Sequence, residues 1–104
     1  MITLRNTYAL AAGDRFDEDY FVSRHVPLAH DVLSPATTGH RVLKPIMQSD
    51  ASAGASVIVE FDFPDRETMG RALASPRMAE LAEDVPNYSD VRGTVTILEE
   101  SSPS

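Results

Sequence analysis

The chain has 104 residues, of which 42% are hydrophobic and 24% charged; these values are typical of one small folded domain and exclude disorder as its main state. Nine basic side chains against sixteen acidic ones give a net charge of −7, which argues against partners such as nucleic acid or anionic lipid. The chain contains no cysteine, so we expect no disulfide bonds. No apolar run approaches the roughly 20 residues of a membrane span, and no signal peptide is visible, so we expect a cytoplasmic protein.

The first predicted elements are a strand and a long helix. Apolar side chains alternate along Ile2–Leu10, which predicts a strand with one mostly apolar face. Asp14 is expected to cap a helix over Arg15–Leu33. Pro27 lies inside this helix and lacks a backbone donor, so it should kink or split the helix. The apolar face predicted for the helix comprises Phe21, Val22, His25, Leu28, Ala29, Val32 and Leu33.

The remaining sequence predicts three strands and a helix in two pieces. The strands are expected over His40–Gln48, Ser56–Phe63 and Gly93–Leu98. Pro45 should confine the first of them to a sheet edge or a bulge. Asp65 is expected to cap the second helix, which Ser75-Pro76 interrupts and which ends at Pro86-Asn87. A small polar segment at residues 48–55 predicts a loop.

The order β-α-β-β-α-β predicts an α+β, ferredoxin-like sandwich with an antiparallel four-stranded sheet. We expect one domain over residues 1–98 and a disordered tail at residues 99–104. One sheet face should lie under the helices and the other should be polar. Such a polar face either contacts water or is covered by a second copy of the chain, and the pattern leaves both open. Its members are Thr3, Arg5, Thr7, Ile58, Glu60, Asp62, Thr94 and Thr96.

His25 is the most informative of the three histidines, because it lies near the centre of an apolar helix face. It is either a buried neutral histidine bonded to a backbone carbonyl or a general acid/base that faces a cavity. His30 and His40 are expected at the surface. The spacing of His25 and His30 does not suit a helical ligand pair, so no metal site is predicted.

The other polar side chains have ordinary structural explanations as well as functional ones. Glu60 and Asp62 point to the same side of a strand, where Arg5 is expected to form a salt bridge with them. Neither a glycine-rich phosphate loop nor a nucleophile motif is present, so no cofactor is predicted. Three tyrosines either donate hydrogen bonds in a cavity or lie at the edge of the core: Tyr8, Tyr20 and Tyr88.

Two short motifs follow one another along the chain. The first is His-x-Pro-Leu at His25–Leu28, after an aromatic-rich helical stretch. The second is Ser75-Pro76 followed by Asp84, Asn87 and Tyr88. In this order they resemble the EthD-like family, a branch of the dimeric α+β barrel superfamily. The resemblance covers nearly the whole chain, to about residue 98.

The resemblance implies two copies packed sheet to sheet into a barrel, each with a cavity between its helices and its sheet. Relatives in the superfamily perform cofactor-free isomerisation, cyclisation, dehydration or monooxygenation, and EthD-like proteins are often labelled oxidoreductases of alkyl ether degradation. The resemblance also implies an acid/base role for His25. Asp84 would then orient or charge that ring, and Tyr88 would bind substrate.

We therefore expect a small homodimeric, cofactor-independent enzyme whose catalytic residues are His25 and Asp84 and whose substrate-binding residues are Tyr8, Tyr20 and Tyr88. Its substrate would be an apolar or aromatic metabolite that is isomerised, cyclised or dehydrated. Two alternatives remain: an oxidoreductase-associated ligand-binding protein of a catabolic pathway without turnover, and a plain assembly domain. The net charge favours neutral substrates, although Arg5 or Arg41 can override it locally.

Overall fold

The alternating apolar side chains form one antiparallel sheet. The computed structural model describes residues 1–50, 52 and 54–101. Four strands lie in the order β2-β3-β1-β4. Their bounds are β1, Ile2–Leu10; β2, Gly39–Leu43; β3, Ala55–Phe63; and β4, Thr94–Glu99. The predicted ferredoxin-like α+β fold is confirmed.

In the described ranges, three helices cover one face of the sheet. The first, α1, is continuous over Glu18–Tyr20, a π-helical stretch at Phe21–His25, and Val26–Leu33. The second, α2, is Arg66–Leu73, and the third, α3, is Met78–Asp84 followed by one 3₁₀ turn at Val85–Asn87. Among the described residues, no helix is long and apolar enough to cross a membrane.

Some predicted boundaries were wrong for local reasons. The strand β2 ends at Leu43 rather than Gln48, because Pro45 offers no N–H to a sheet ladder. At the other end of the chain, β4 includes Glu99, which was assigned to the tail. Residues 102–104 of the tail, and residues 51 and 53 of the predicted loop, lie outside the described residues. The disorder of the tail therefore remains a prediction.

The N-terminal cap of α1 is Asp17 and not Asp14. The Asp17 side chain accepts a hydrogen bond from the Tyr20 N–H at 3.0 Å, so the helix begins at Glu18. Asp14 instead accepts from the Ala11 N–H at 2.8 Å and closes the preceding turn. In that turn Gly13 has a φ of 89°, which a residue without a Cβ adopts readily.

The helix is not split at Pro27, which lies in its regular α-helical part, and a π-helical stretch precedes that part. The Val26 N–H bonds to the carbonyl of Phe21, five residues back. A π-helix rotates less per residue than an α-helix, so the buried face shifts along the sequence. As a result Val22, predicted to be buried, is 47% exposed, whereas Val26, not predicted on that face, is 4% exposed.

The sheet separates an apolar face under the helices from a polar outer face, as predicted. The register pairs Thr3 with Asp62 and Arg5 with Glu60 on the outer side. Glu60 accepts from the Nε atoms of Arg5 and Arg41 at 2.7 and 2.8 Å. Asp62 accepts two hydrogen bonds from Arg41 and one from Thr3. This network buries both carboxylates and confirms the predicted Arg5 salt bridge.

We expect Asp17→Ala to lower the free energy of unfolding by about 1 kcal/mol, because it removes the cap of α1. Asp19→Ala is the matched control: it removes the same charge from the same turn without removing a cap bond and should cost less than about 0.5 kcal/mol. Urea denaturation of both variants measures the difference. Equal losses would contradict the assignment of Asp17 as the cap.

Candidate functional site

A cavity of about 370 Å³ lies between the helices and the apolar face of the sheet. This volume lies within the range of small-molecule sites, about 300–1,000 Å³. Its walls are mainly apolar, with contributions from Leu4, Val59, Phe61, Ala29, Leu73 and Leu81. Its polar lining comes from Asn6, Tyr8, His25 and Arg92. The site thus combines an apolar body with a few hydrogen-bonding groups.

The imidazole of His25 lies in the wall of this cavity, held by a carboxylate behind it. Its Nδ1 is 2.9 Å from Oδ2 of Asp84, the last residue of α3. The other carboxylate oxygen, Oδ1, accepts from the Tyr20 hydroxyl at 2.7 Å and from Nδ2 of Asn87 at 2.9 Å. With Nδ1–H donated to Asp84, Nε2 of the neutral ring carries no proton and has no hydrogen-bond partner among the described residues. The predicted partners His25 and Asp84 are therefore in contact.

The environment of the pair favours a neutral ring beside a charged carboxylate. Burial lowers the pKa of His25, and this effect outweighs the opposing hydrogen bond to Asp84. Burial also acts to raise the pKa of Asp84, but hydrogen bonds from Asn87, Tyr20 and His25 together bring that pKa below its ordinary value. At neutral pH the site therefore holds an imidazole base and an ionised aspartate.

The three tyrosines lie in different positions relative to the cavity. Tyr8 lines it, and its hydroxyl is 2.7 Å from that of Tyr88. Tyr88 is fully buried behind the His25 ring, with the two ring centres 4.5 Å apart, and does not line the cavity. Tyr20 does not line it either and instead bonds to Asp84. Burial raises the pKa of Tyr8 and of Tyr88, which keeps both hydroxyls protonated.

Sequence reasoning missed Asn6 and Arg92. Asn6 donates from Nδ2 to the Tyr8 hydroxyl at 3.2 Å, while its buried Oδ1 has no partner among the described residues. The amide packs over Gly93, where a Cβ would overlap it. A signal for Asn6 was present, since it interrupts the apolar alternation of β1. No comparable signal marked Arg92, which precedes β4 in a loop.

The other two histidines lie away from the cavity. His30 and His40 are exposed, as predicted, and their Nδ1 atoms face each other at 3.1 Å. Within the described ranges, no group of three or more His, Asp or Glu side chains could hold a metal ion.

Comparisons with known proteins agree with this architecture. Residues 13–92 match the family model of the EthD domain. An EthD-like protein from Ralstonia eutropha JMP134 is 26% identical, with a TM-score of 0.84 over 99% of this chain and 94% of that one. An ethyl tert-butyl ether D (EthD) family protein from Bacillus halodurans C-125 is 17% identical, with a TM-score of 0.74 over 97% and 99%.

A more distant structural match is SnoaB from Streptomyces nogalater, a cofactor-independent oxygenase. It is 16% identical, with a TM-score of 0.65 over 99% of this chain and 97% of that one. At this identity the match shows a common fold. No curated protein is significantly similar in sequence.

Because the pKa of His25 is lowered in the folded protein, we expect the protein to become less stable as the pH falls. As the pH falls below the ordinary value of about 6.5, the unfolded chain binds a proton that the folded ring refuses, so the free energy of unfolding decreases. The contribution is fully present above this value. Hydrogen bonds from Asn87, Tyr20 and His25 bring the pKa of Asp84 below its ordinary acidic value, so this carboxylate stays ionised over the same range and does not add to the change.

Urea denaturation at pH 7.5, 6.5 and 5.5 measures this effect. We expect the wild type to lose more stability over the range than His25→Gln. Parallel profiles for wild type and His25→Gln would contradict the burial effect.

Proposed function

The chain belongs to the EthD domain family, as its two motifs predicted, and we propose that it is an enzyme in which His25 moves a proton on an apolar or aromatic metabolite. The carrying observation is the His25 ring in the wall of an apolar cavity, with Nδ1 bonded to Asp84. Isomerisation, cyclisation and dehydration are the reaction types that one such group serves. None of them requires a cofactor.

The proposed step is a proton transfer to and from one nitrogen. His25 Nε2 takes a proton from a carbon or hydroxyl of the substrate, and the electron pair of the broken bond moves into the substrate. The imidazolium that forms is stabilised by the Asp84 carboxylate at 2.9 Å. The same nitrogen then returns the proton at another atom of the substrate or to a leaving hydroxyl. The apolar walls keep bulk water from competing for it.

The tyrosines take different parts in this proposal. Tyr8 lines the cavity and is the proposed hydrogen-bond donor to substrate. Tyr20 holds Asp84, which in turn bonds to His25, and Tyr88 packs against both His25 and Tyr8. They are positioning residues in this assignment rather than direct substrate ligands.

We also propose that two copies pair through the outer face of the sheet. Arg5 and Arg41 neutralise Glu60 and Asp62 there, so this network presents no net charge to an identical one. Leu43, 41% exposed at the end of β2, adds apolar area to the same face. A neutral face with apolar margins suits a symmetric contact, in which each surface meets its own copy.

The acid/base role can be tested without the natural substrate. 5-Nitrobenzisoxazole is an apolar aromatic that eliminates when a base takes its carbon-bound proton, breaking the N–O bond to give a nitrile and a coloured phenolate. We expect the wild type to accelerate this elimination and His25→Gln to lose about 10²-fold of that rate, the usual effect of a general base. His30→Gln should retain it.

Circular dichroism shows whether each variant is folded. A folded His25→Gln that matches the wild-type rate would overturn the proposal. Binding of the compound with no elimination in the wild type would favour the accessory ligand-binding alternative.

The assembly is tested by sedimentation at micromolar concentration. We expect a dimer for the wild type and a shift towards monomer for Thr96→Glu, which adds a carboxylate to the outer face next to Arg5. Ala79→Glu, on the exposed surface of α3, is the control and should stay dimeric. A monomeric wild type would contradict the proposal.

A further inference from the structure

Almost all of the basic side chains have acidic partners. Seven of the nine form ion pairs: Arg5, Arg15, Arg41, Lys44, Arg66, Arg71 and Arg77. Arg24 and Arg92 have none among the described residues.

Only one of these two arginines lies at the cavity. Arg24 is exposed on α1 and does not line it, whereas Arg92 does. Arg92 is itself exposed, and nearby Val95, which also lines the cavity, is 55% exposed. These exposures place Arg92 at the side where the cavity meets solvent. Within the part of the chain that the structure describes, this apolar pocket thus ends in a cation that forms no ion pair.

Resting on the proposed function, we infer that the ligand is an apolar or aromatic carboxylic acid whose carboxylate pairs with Arg92 while its apolar part fills the cavity towards His25. One guanidinium binds one carboxylate through two parallel hydrogen bonds. A phosphate dianion would call for more positive charge than this single side chain supplies. A carboxylate is therefore the anion that matches the site.

This inference differs from the expectation, drawn from the net charge, that substrates are neutral. The total charge of the protein acts at long range, and dissolved salt screens electrostatic interactions beyond about 8–10 Å. An arginine at the pocket acts within that distance, so it decides the local preference. Arg5 and Arg41, suggested from sequence as overriding cations, are held by Glu60 on the opposite face of the sheet and do not serve the cavity.

Two probes of equal size and different charge test the inference: 2-naphthoate and 2-naphthamide. Titration calorimetry gives their dissociation constants for the wild type and for Arg92→Gln. We expect the wild type to prefer 2-naphthoate by about tenfold, and this preference to decrease as salt is added. Arg92→Gln should lose the preference and keep its affinity for 2-naphthamide within about twofold.

Two further variants separate the sources of charge. Arg24→Gln removes the other unpaired arginine and should keep the wild-type preference. His25→Gln leaves Arg92 in place and should also keep it, which excludes the imidazole as the anion-binding group.

The outcomes distinguish this inference from the function on which it rests. Equal affinity for the two probes in the wild type, or a preference that survives in Arg92→Gln, would overturn the assignment of Arg92 and leave the cavity as a ligand site. Failure of both probes to bind would overturn the cavity as an apolar ligand site, and the inference with it. If the wild type prefers 2-naphthoate but does not accelerate the elimination of 5-nitrobenzisoxazole, the result would support carboxylate binding by Arg92. It would contradict only the proton transfer by His25.

Discussion

The arrangement of the site depends on one carboxylate, that of Asp84. It bonds to His25 and Tyr20 from α1 and to Asn87 from the turn after its own helix. Two backbone contacts join the same two segments: the Asp17 N–H bonds to the Tyr88 carbonyl, and Phe16 forms an antiparallel β-bridge with Ser89. The start of the first helix and the end of the third are therefore joined next to the imidazole, and the ring has a defined direction towards the cavity.

A cavity of this size is uncommon in a small domain, because protein interiors pack as densely as organic crystals. The side of the cavity near His25 is closed by an aromatic cluster with ring centres 5.1–5.8 Å apart: Tyr8, Phe16, Phe21 and Tyr88. Tilted and edge-to-face contacts of this kind stabilise beyond the area they bury. The contacts within this cluster offset part of the packing energy that is lost at the cavity. The cluster also lies next to His25, whose ring has to be held rigidly.

Local patterns predicted the parts of the molecule that local physics determines. The alternation in β1 and β3 gave the two sheet faces correctly, and the Asp65 cap is present, accepting from the Thr68 N–H at 2.7 Å. The π-helical stretch at Phe21–His25 was not predicted, because a helical period assumes the same rotation per residue along the whole helix. Arg92 was not predicted because its place in the cavity lining is set by tertiary contacts and not by a local pattern. The pairing of His25 with Asp84 came from the family resemblance and not from spacing.

The contact between Asn6 and Gly93 has a consequence for how the family can change over evolutionary time. A Cβ at position 93 would occupy the space of the Asn6 amide, and without that amide the Tyr8 hydroxyl loses a donor. The two positions are therefore coupled, although they lie at opposite ends of the domain sequence. Lineages that replace the glycine are expected to carry a smaller residue at position 6 as well, so this pair should be inherited or lost together.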